Sequence, residues 1–180
     1  MRSYRGAWVL TIGMILGIPQ SFAFSSVGLR NALDNCLNKN VSSPERIEAC
    51  NNVIHTNILL PAYRARVIAS RGNAYFAEAN LDNALEDYSK ALELNPGLTA
   101  ALTNRTVTLV KLGKCEEAAS DLTSVLASDP RSWRALYGRS VCEAKVGEQE
   151  RSQSDLAAAT AINPNAAQEF APDEIARWYQ

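Results

Sequence analysis

ARVIASRGNAYFAEANLDNALEDYSKALELNPGL, residues 65–98, is followed by two segments of the same length and register, 99–132 and 133–166. The register is marked by Asn95-Pro96, Asp129-Pro130 and Asn163-Pro164, which recur at an interval of 34 residues. Other positions coincide with it: Gly72, Thr106 and Ser140; Ala84, Ala118 and Ser152; Tyr88, Leu122 and Leu156; Ala91, Val125 and Ala159. A period in this range signals stacked units, each too small to bury its apolar face alone.

Each unit divides into two amphipathic stretches, such as Ala65 to Ala79 and Leu81 to Leu94, with apolar residues three and four apart. Short turns fall at Ala79-Asn80, Gly113-Lys114 and Gly147-Glu148. The Asn/Asp-Pro pair ends the second stretch, because the residue before a proline is driven out of helical geometry. The small residue at Gly72, Thr106 or Ser140 lets the paired helices approach closely.

These residues carry a resemblance. A 34-residue helix-turn-helix with Gly72 and Tyr75, then Ala84, Tyr88, Ala91 and Pro96, resembles the tetratricopeptide repeat. The family's usual first-helix Trp is replaced by Ile68, Leu102 and Leu136, and Glu143 and Ser152 stand where a large apolar residue and an alanine belong, so looser packing is expected in the third unit. The resemblance implies an all-α hairpin solenoid with full repeats at 65–98, 99–132 and 133–166. Upstream, Arg46 to Ile54 aligns with Ala84 to Leu92, so a degenerate hairpin is expected over 24–64, with Asn31 to Leu37 as its first helix and Ser42-Ser43-Pro44-Glu45 as turn and N-cap. About four extra residues separate it from the next unit. The tail, 167–180, is expected to cap the open end through Phe170, Ile175 and Trp178.

At the other end, Met1-Arg2-Ser3-Tyr4-Arg5 precedes an apolar run from Trp8 to Ile18, then Pro19 and Ser21-Phe22-Ala23. This pattern predicts a secretory signal peptide over 1–23. The run falls short of the roughly 20 residues that span a bilayer, so no stable membrane insertion is expected after its removal. Arg71-Gly72-Asn73-Ala74-Tyr75 and Glu86-Asp87-Tyr88 most resemble bacterial envelope members of the family, which implies an exported protein, in a bacterial periplasm or secreted.

Four cysteines in an exported chain suit disulfides. In a helical hairpin, residues equidistant from the turn face each other. Cys36 and Cys50 are symmetric about residue 43, and Cys115 and Cys142 about Ser128-Asp129, so these are the expected pairs; four buried thiols are the alternative. No metal is expected, since no CxxC spacing exists and His55 is the single histidine. By the same symmetry, Arg71, Arg105 and Arg139 should bridge to Asp87, Asp121 and Asp155 across each hairpin. A pair recurring in every unit reads as scaffold.

With 18 basic and 19 acidic residues the net charge is formally −1, so no global field favours nucleic acid. No nucleophile motif, phosphate-binding glycine loop or dinucleotide fingerprint appears, and no cofactor or catalysis is expected. The expectation is a protein–protein interaction module, with a self-associating envelope scaffold as the alternative. Its oligomeric state is open.

In the family, first helices build the concave wall. Carried over, the resemblance places Arg66, Ala69, Ser70, Asn73 and Phe76 there from the first repeat; Ala100, Thr103, Asn104, Val107 and Lys111 from the second; and Arg134, Tyr137, Gly138, Val141 and Lys145 from the third. The expected partner-binding residues are Arg66, Asn73, Phe76, Asn104, Val107, Lys111, Arg134, Tyr137, Val141 and Lys145. Members that grip a peptide's C-terminal carboxylate use two asparagines and three basic residues. Asn73, Asn104 and Arg134 match, but Ala69 and Gly138 replace two basic ones, so the clamp is incomplete. Arg66, Lys111, Arg134 and Lys145 would make this wall basic, suited to an acidic or C-terminal peptide, while Asp82, Glu86, Glu93, Glu116 and Glu117 fall on outward second helices.

Non-reducing peptide mapping should recover Cys36 linked to Cys50 and Cys115 to Cys142; any other pairing would refute the hairpin register. Each link should contribute about 3 to 4 kcal/mol through loop entropy.

Overall fold

The computed structural model describes residues 26–56 and 58–169. The expected signal peptide lies outside them, as do Phe170, Ile175 and Trp178. The described residues form helices without strands: α1 (Ser26–Leu37), α2 (Ser43–His55), α3 (Pro61–Ala77), α4 (Leu81–Leu94), α5 (Thr99–Lys111), α6 (Cys115–Ser128), α7 (Trp133–Lys145), α8 (Gln149–Ile162) and the single turn α9 (Ala166–Glu169).

Two turns alternate along the chain. Within a hairpin, the first helix closes on a left-handed residue, Ala79 (φ 55°), Gly113 (φ 74°) or Gly147 (φ 85°). The next amide then reaches back five residues: Asn80 N–H to Tyr75 O, Lys114 N–H to Leu109 O and Glu148 N–H to Glu143 O, each at 2.9 Å. Glycine adopts this backbone without steric cost, and Ala79 adopts it against one. Between hairpins, Asn95, Asp129 and Asn163 leave the helical region ahead of proline. Their side-chain oxygens accept the amide two residues on, from Gly97 (3.2 Å), Arg131 (3.0 Å) and Asn165 (3.0 Å).

Two helix starts differ from expectation. α1 begins at Ser26 rather than Asn31, and α3 begins at Pro61 rather than Ala65. The four residues inserted before the first full repeat add a turn to α3, with Pro61 at a helix start that tolerates a missing N–H. Ser42 precedes α2 as expected, with Pro44 in the first turn, but its side chain makes no capping hydrogen bond.

Successive helices pack as antiparallel pairs, and each second helix also packs against the first helix that follows it. First helices of neighbouring pairs touch one another directly: α1 with α3, α3 with α5, and α5 with α7. The solenoid's inner radius therefore lies on the first-helix side. One core runs through both sides of this stack, with Phe76, Tyr88, Leu122 and Val125 buried. A second, around Cys36, Cys50, Val53 and Val67, joins the first pair to α3. At the far end Leu136, Ala159 and Ala166 form a smaller cluster. There Leu156 is 41% exposed, whereas its equivalents Tyr88 and Leu122 are 0% and 2% exposed, because α8 lacks a following hairpin among the described residues.

The two helices of the first full repeat approach closely at Gly72. A Cβ there would lie 2.9 Å from Tyr88 Cε1 and 3.2 Å from Asp87 Cβ. Tyr88 cannot swing away cheaply, since its hydroxyl donates to Asn73 Oδ1 at 2.9 Å. Where leucine replaces tyrosine at this position, Thr106 and Ser140 carry the Cβ that Gly72 lacks. Gly72→Ala should destabilise the fold by about 1–3 kcal/mol through overpacking. Adding Tyr88→Leu should recover part of the loss, and urea denaturation of the single and double variants measures both.

Candidate functional site on the first-helix face

Three guanidinium–carboxylate pairs brace the first helices that form this face against their second helices. Arg71 donates to both Asp87 oxygens (2.8 and 2.7 Å), and Arg105 to both of Asp121 (2.7 Å each). Arg139 does the same to Asp155, its Nη2–Oδ1 bond measuring 2.9 Å. Every pair joins the two helices of one hairpin, and all three aspartates are buried. Bidentate bonding raises all three arginines above their ordinary pKa, keeping them charged. Arg71 also donates to Asn51 Oδ1 (2.6 Å), tying α2 into the array. The third pair is the loosest: Arg139's side chain is 41% exposed, against 18% for Arg71. Beside it Glu143, at the position of Tyr75 and Leu109, lies 3.9 Å from Arg139, and burial raises its carboxyl's pKa, helped by nearby Asp155.

Disulfides join Cys36 to Cys50 and Cys115 to Cys142, with Cα atoms 4.8 and 5.3 Å apart. The first closes the α1–α2 pair. The second links the start of α6 to α7 and so crosses from one hairpin to the next.

The residues expected to contact a partner divide into three groups. Phe76 and Val107 are core residues, 0% and 2% exposed, and are corrected here: their side chains fill the space between hairpins and offer no surface. Ser70 is also buried, its hydroxyl donating to Cys36 O at 2.6 Å. Tyr137 and Val141 are half-buried against the core. Arg66 and Lys145 are exposed, and Asn73, Asn104, Lys111 and Arg134 are half-buried. Arg134's guanidinium lies 4.4 Å from the centroid of the Trp133 ring.

Asn73 and Asn104 are brought together across the boundary between the first two repeats. Asn104 Nδ2 donates to Asn73 Oδ1 at 2.9 Å, and that oxygen also accepts from Tyr88. The Asn73 amide nitrogen and the Asn104 carbonyl oxygen make no hydrogen bond to described residues. The pair thus offers one donor and one acceptor, the complement of a peptide group. Sequence reasoning passed over Tyr63 and Trp133, the rings that accompany Arg66 and Arg134. Their one signal was an aromatic residue within three positions of a basic wall residue.

No helix among the described residues is long and apolar enough to cross a membrane, and no group of three or more His, Cys, Asp or Glu side chains there could hold a metal.

Helical hairpins stacked at a 34-residue period, with first helices lining one face, define an α-helical repeat protein. Tetratricopeptide repeat family models match residues 65–98 and 107–167, together just over half of the chain. The chain belongs to the tetratricopeptide repeat family. Among solved structures it is similar to MamA from Desulfovibrio magneticus RS-1 (residues 41 to the end), at 20% identity and a TM-score of 0.64 over 76% of this chain and 75% of that one. It is likewise similar to MamA MSR-1, at 17% identity and a TM-score of 0.62 over 87% and 92%. A third similar structure is the first such repeat domain of Spaghetti (RPAP3) bound to the HSP90 peptide SRMEEVD, at 24% identity and a TM-score of 0.53 over 68% and 98%. These likenesses establish the fold. A comparison with curated protein sequences finds no match.

Arg105→Ala should cost about 1–3 kcal/mol, below the range for a fully buried pair because the arginine is partly exposed. It leaves the Asp121 carboxylate buried without its partner. Thermal melts should show the loss, while affinity for a partner on the first-helix face stays nearly unchanged.

Proposed function

We propose that this protein is an exported, non-catalytic interaction module whose concave first-helix face receives a partner peptide of acidic or C-terminal character. The observation that carries this reading is the Asn73–Asn104 pair, which spans two repeats and keeps a donor and an acceptor available beside basic side chains. Arg66 and Lys145 are exposed on first helices, Lys111 and Arg134 are half-buried there, and no carboxylate occupies the wall positions. Such a surface steers an acidic segment, while backbone hydrogen bonds and apolar contacts hold it. Tyr137 and Val141 supply the apolar contacts in place of the buried Phe76 and Val107. The similar RPAP3 domain is bound to a peptide containing Glu-Glu-Val-Asp, in keeping with an acidic ligand. With Ala69 and Gly138 at two basic positions of the carboxylate clamp, acidic character rather than a free terminus governs recognition. Two disulfides suit an oxidising compartment, which supports export.

A second reading, a self-associating scaffold, draws on the exposed Leu156 face of α8. One set of measurements separates the two. Replacing Arg66, Lys111 and Arg134 together with Gln should preserve the circular dichroism spectrum and sharply reduce capture of envelope partners at low salt, with a smaller difference at moderate salt. Gel filtration at several concentrations should show a monomer. Unchanged capture would sink the groove reading, and concentration-dependent self-association would favour the scaffold.

A further inference from the structure

The entry to α3 and its added turn carry exposed large apolar side chains. Ile58, Leu60 and Tyr63 are 64%, 70% and 54% exposed, the largest such grouping in the described sequence. The cluster is held in place from both sides. Leu59, between the first two, packs into the core around Cys36 and Cys50, and Arg64 donates to Ile54 O at 3.2 Å. Large apolar side chains kept in water on a fastened segment mark a contact surface. The 34-residue period places Gly97 and Arg131 where Tyr63 stands, so Tyr63 is not part of the repeated scaffold as the Arg–Asp bridges are.

Charge identifies the kind of partner. No Asp or Glu occurs between Glu48 and Glu78, and this interval includes Arg64, Arg66 and Arg71. Arg71 is bonded to Asp87, whereas Arg66 forms no ion pair with a described residue and lies 5.8 Å from the Tyr63 ring centroid. Tyr63, Arg66, Ser70 and Asn73 follow one another at three- and four-residue steps, so they share one stripe of α3. Tyr63 and Arg66 therefore continue the first-helix face toward the solenoid's N-terminal end, with Leu60 and Ile58 immediately before them in the chain.

We propose that Ile58, Leu60 and the Tyr63–Arg66 pair form an anchor at this end of the groove, seating a bulky apolar side chain of the partner peptide with a carboxylate beside it. The anchor rests on the groove reading and specifies which part of the ligand determines affinity. The rings and aliphatic groups take the apolar side chain, and Arg66 takes the carboxylate. A bilayer is the weaker fit, because one unpaired arginine on a nearly neutral molecule attracts an anionic surface only slightly.

The test selects displayed random dodecapeptides on the disulfide-bonded protein, then measures the enriched peptides against variants. Wild-type protein should enrich sequences with Phe, Trp, Leu or Ile adjacent to Asp or Glu. Leu60→Ser with Tyr63→Ala should weaken their binding by about tenfold or more, since central apolar anchors dominate such interfaces. Its melting temperature should stay unchanged, because both side chains are exposed. Arg66→Gln should weaken binding less and flatten its salt dependence. If the Leu60/Tyr63 variant binds as wild type while Asn104→Ala loses binding, the anchor is refuted and the groove stands. If no peptide is enriched, both fail. If vesicles of phosphatidylglycerol and phosphatidylcholine bind wild type but not the Leu60/Tyr63 variant, the cluster is a membrane contact and the proposal is overturned.

Discussion

The distance between the two helices of a hairpin is limited by a single contact, the residue at Gly72, Thr106 or Ser140 against the side chain opposite it. A glycine admits the Tyr88 ring, and a β-hydroxyl residue admits leucine. The Arg–Asp bridges stand one position away from this contact on each helix, and their bidentate geometry exists because the helices come this close. The same approach brings Tyr88's hydroxyl to Asn73, which orients Asn73 toward Asn104. Core packing, the scaffold of charge and the Asn73–Asn104 pair thus share one geometric origin.

Hairpin turns, inter-hairpin turns, disulfides and bridges were legible in the sequence because each depends on short-range chemistry or on symmetry about a turn. Asn-Pro and Asp-Pro impose the same backbone wherever they occur, and Arg71 meets Asp87 because both lie eight residues from residue 79. The wall was less legible. Phe76 and Val107 fall on the family's inward positions, yet whether an inward residue meets solvent or the next hairpin depends on how the units stack, and stacking leaves no local mark. The turn added to α3 was hidden for a related reason. An insertion is visible as a break in period, but whether it becomes loop or helix depends on Pro61 fitting a first turn and Leu59 finding a core.

The third repeat shows what happens when the pattern weakens. Glu143 occupies an apolar position, and its carboxyl is partly stripped of water beside Asp155, with a distant contact to Arg139 as compensation. Leu156 is left half in solvent. The C-terminal hairpin holds its shape through the bridge to Asp155 and the Ala159–Ala166 contact rather than through a full core.

The placement of the covalent links distributes stiffness unevenly. One disulfide closes the α1–α2 pair and the other ties α6 to α7, so of the junctions between hairpins α6–α7 is cross-linked, while α2–α3 and α4–α5 are not. The α4–α5 seam is held by non-covalent packing and by the Asn73–Asn104 bond. Covalent reinforcement thus falls within the first hairpin and between the second and third full repeats, with non-covalent seams in between. The α4–α5 seam lies under the Asn73–Asn104 pair, so the curvature at that pair is set without a covalent constraint.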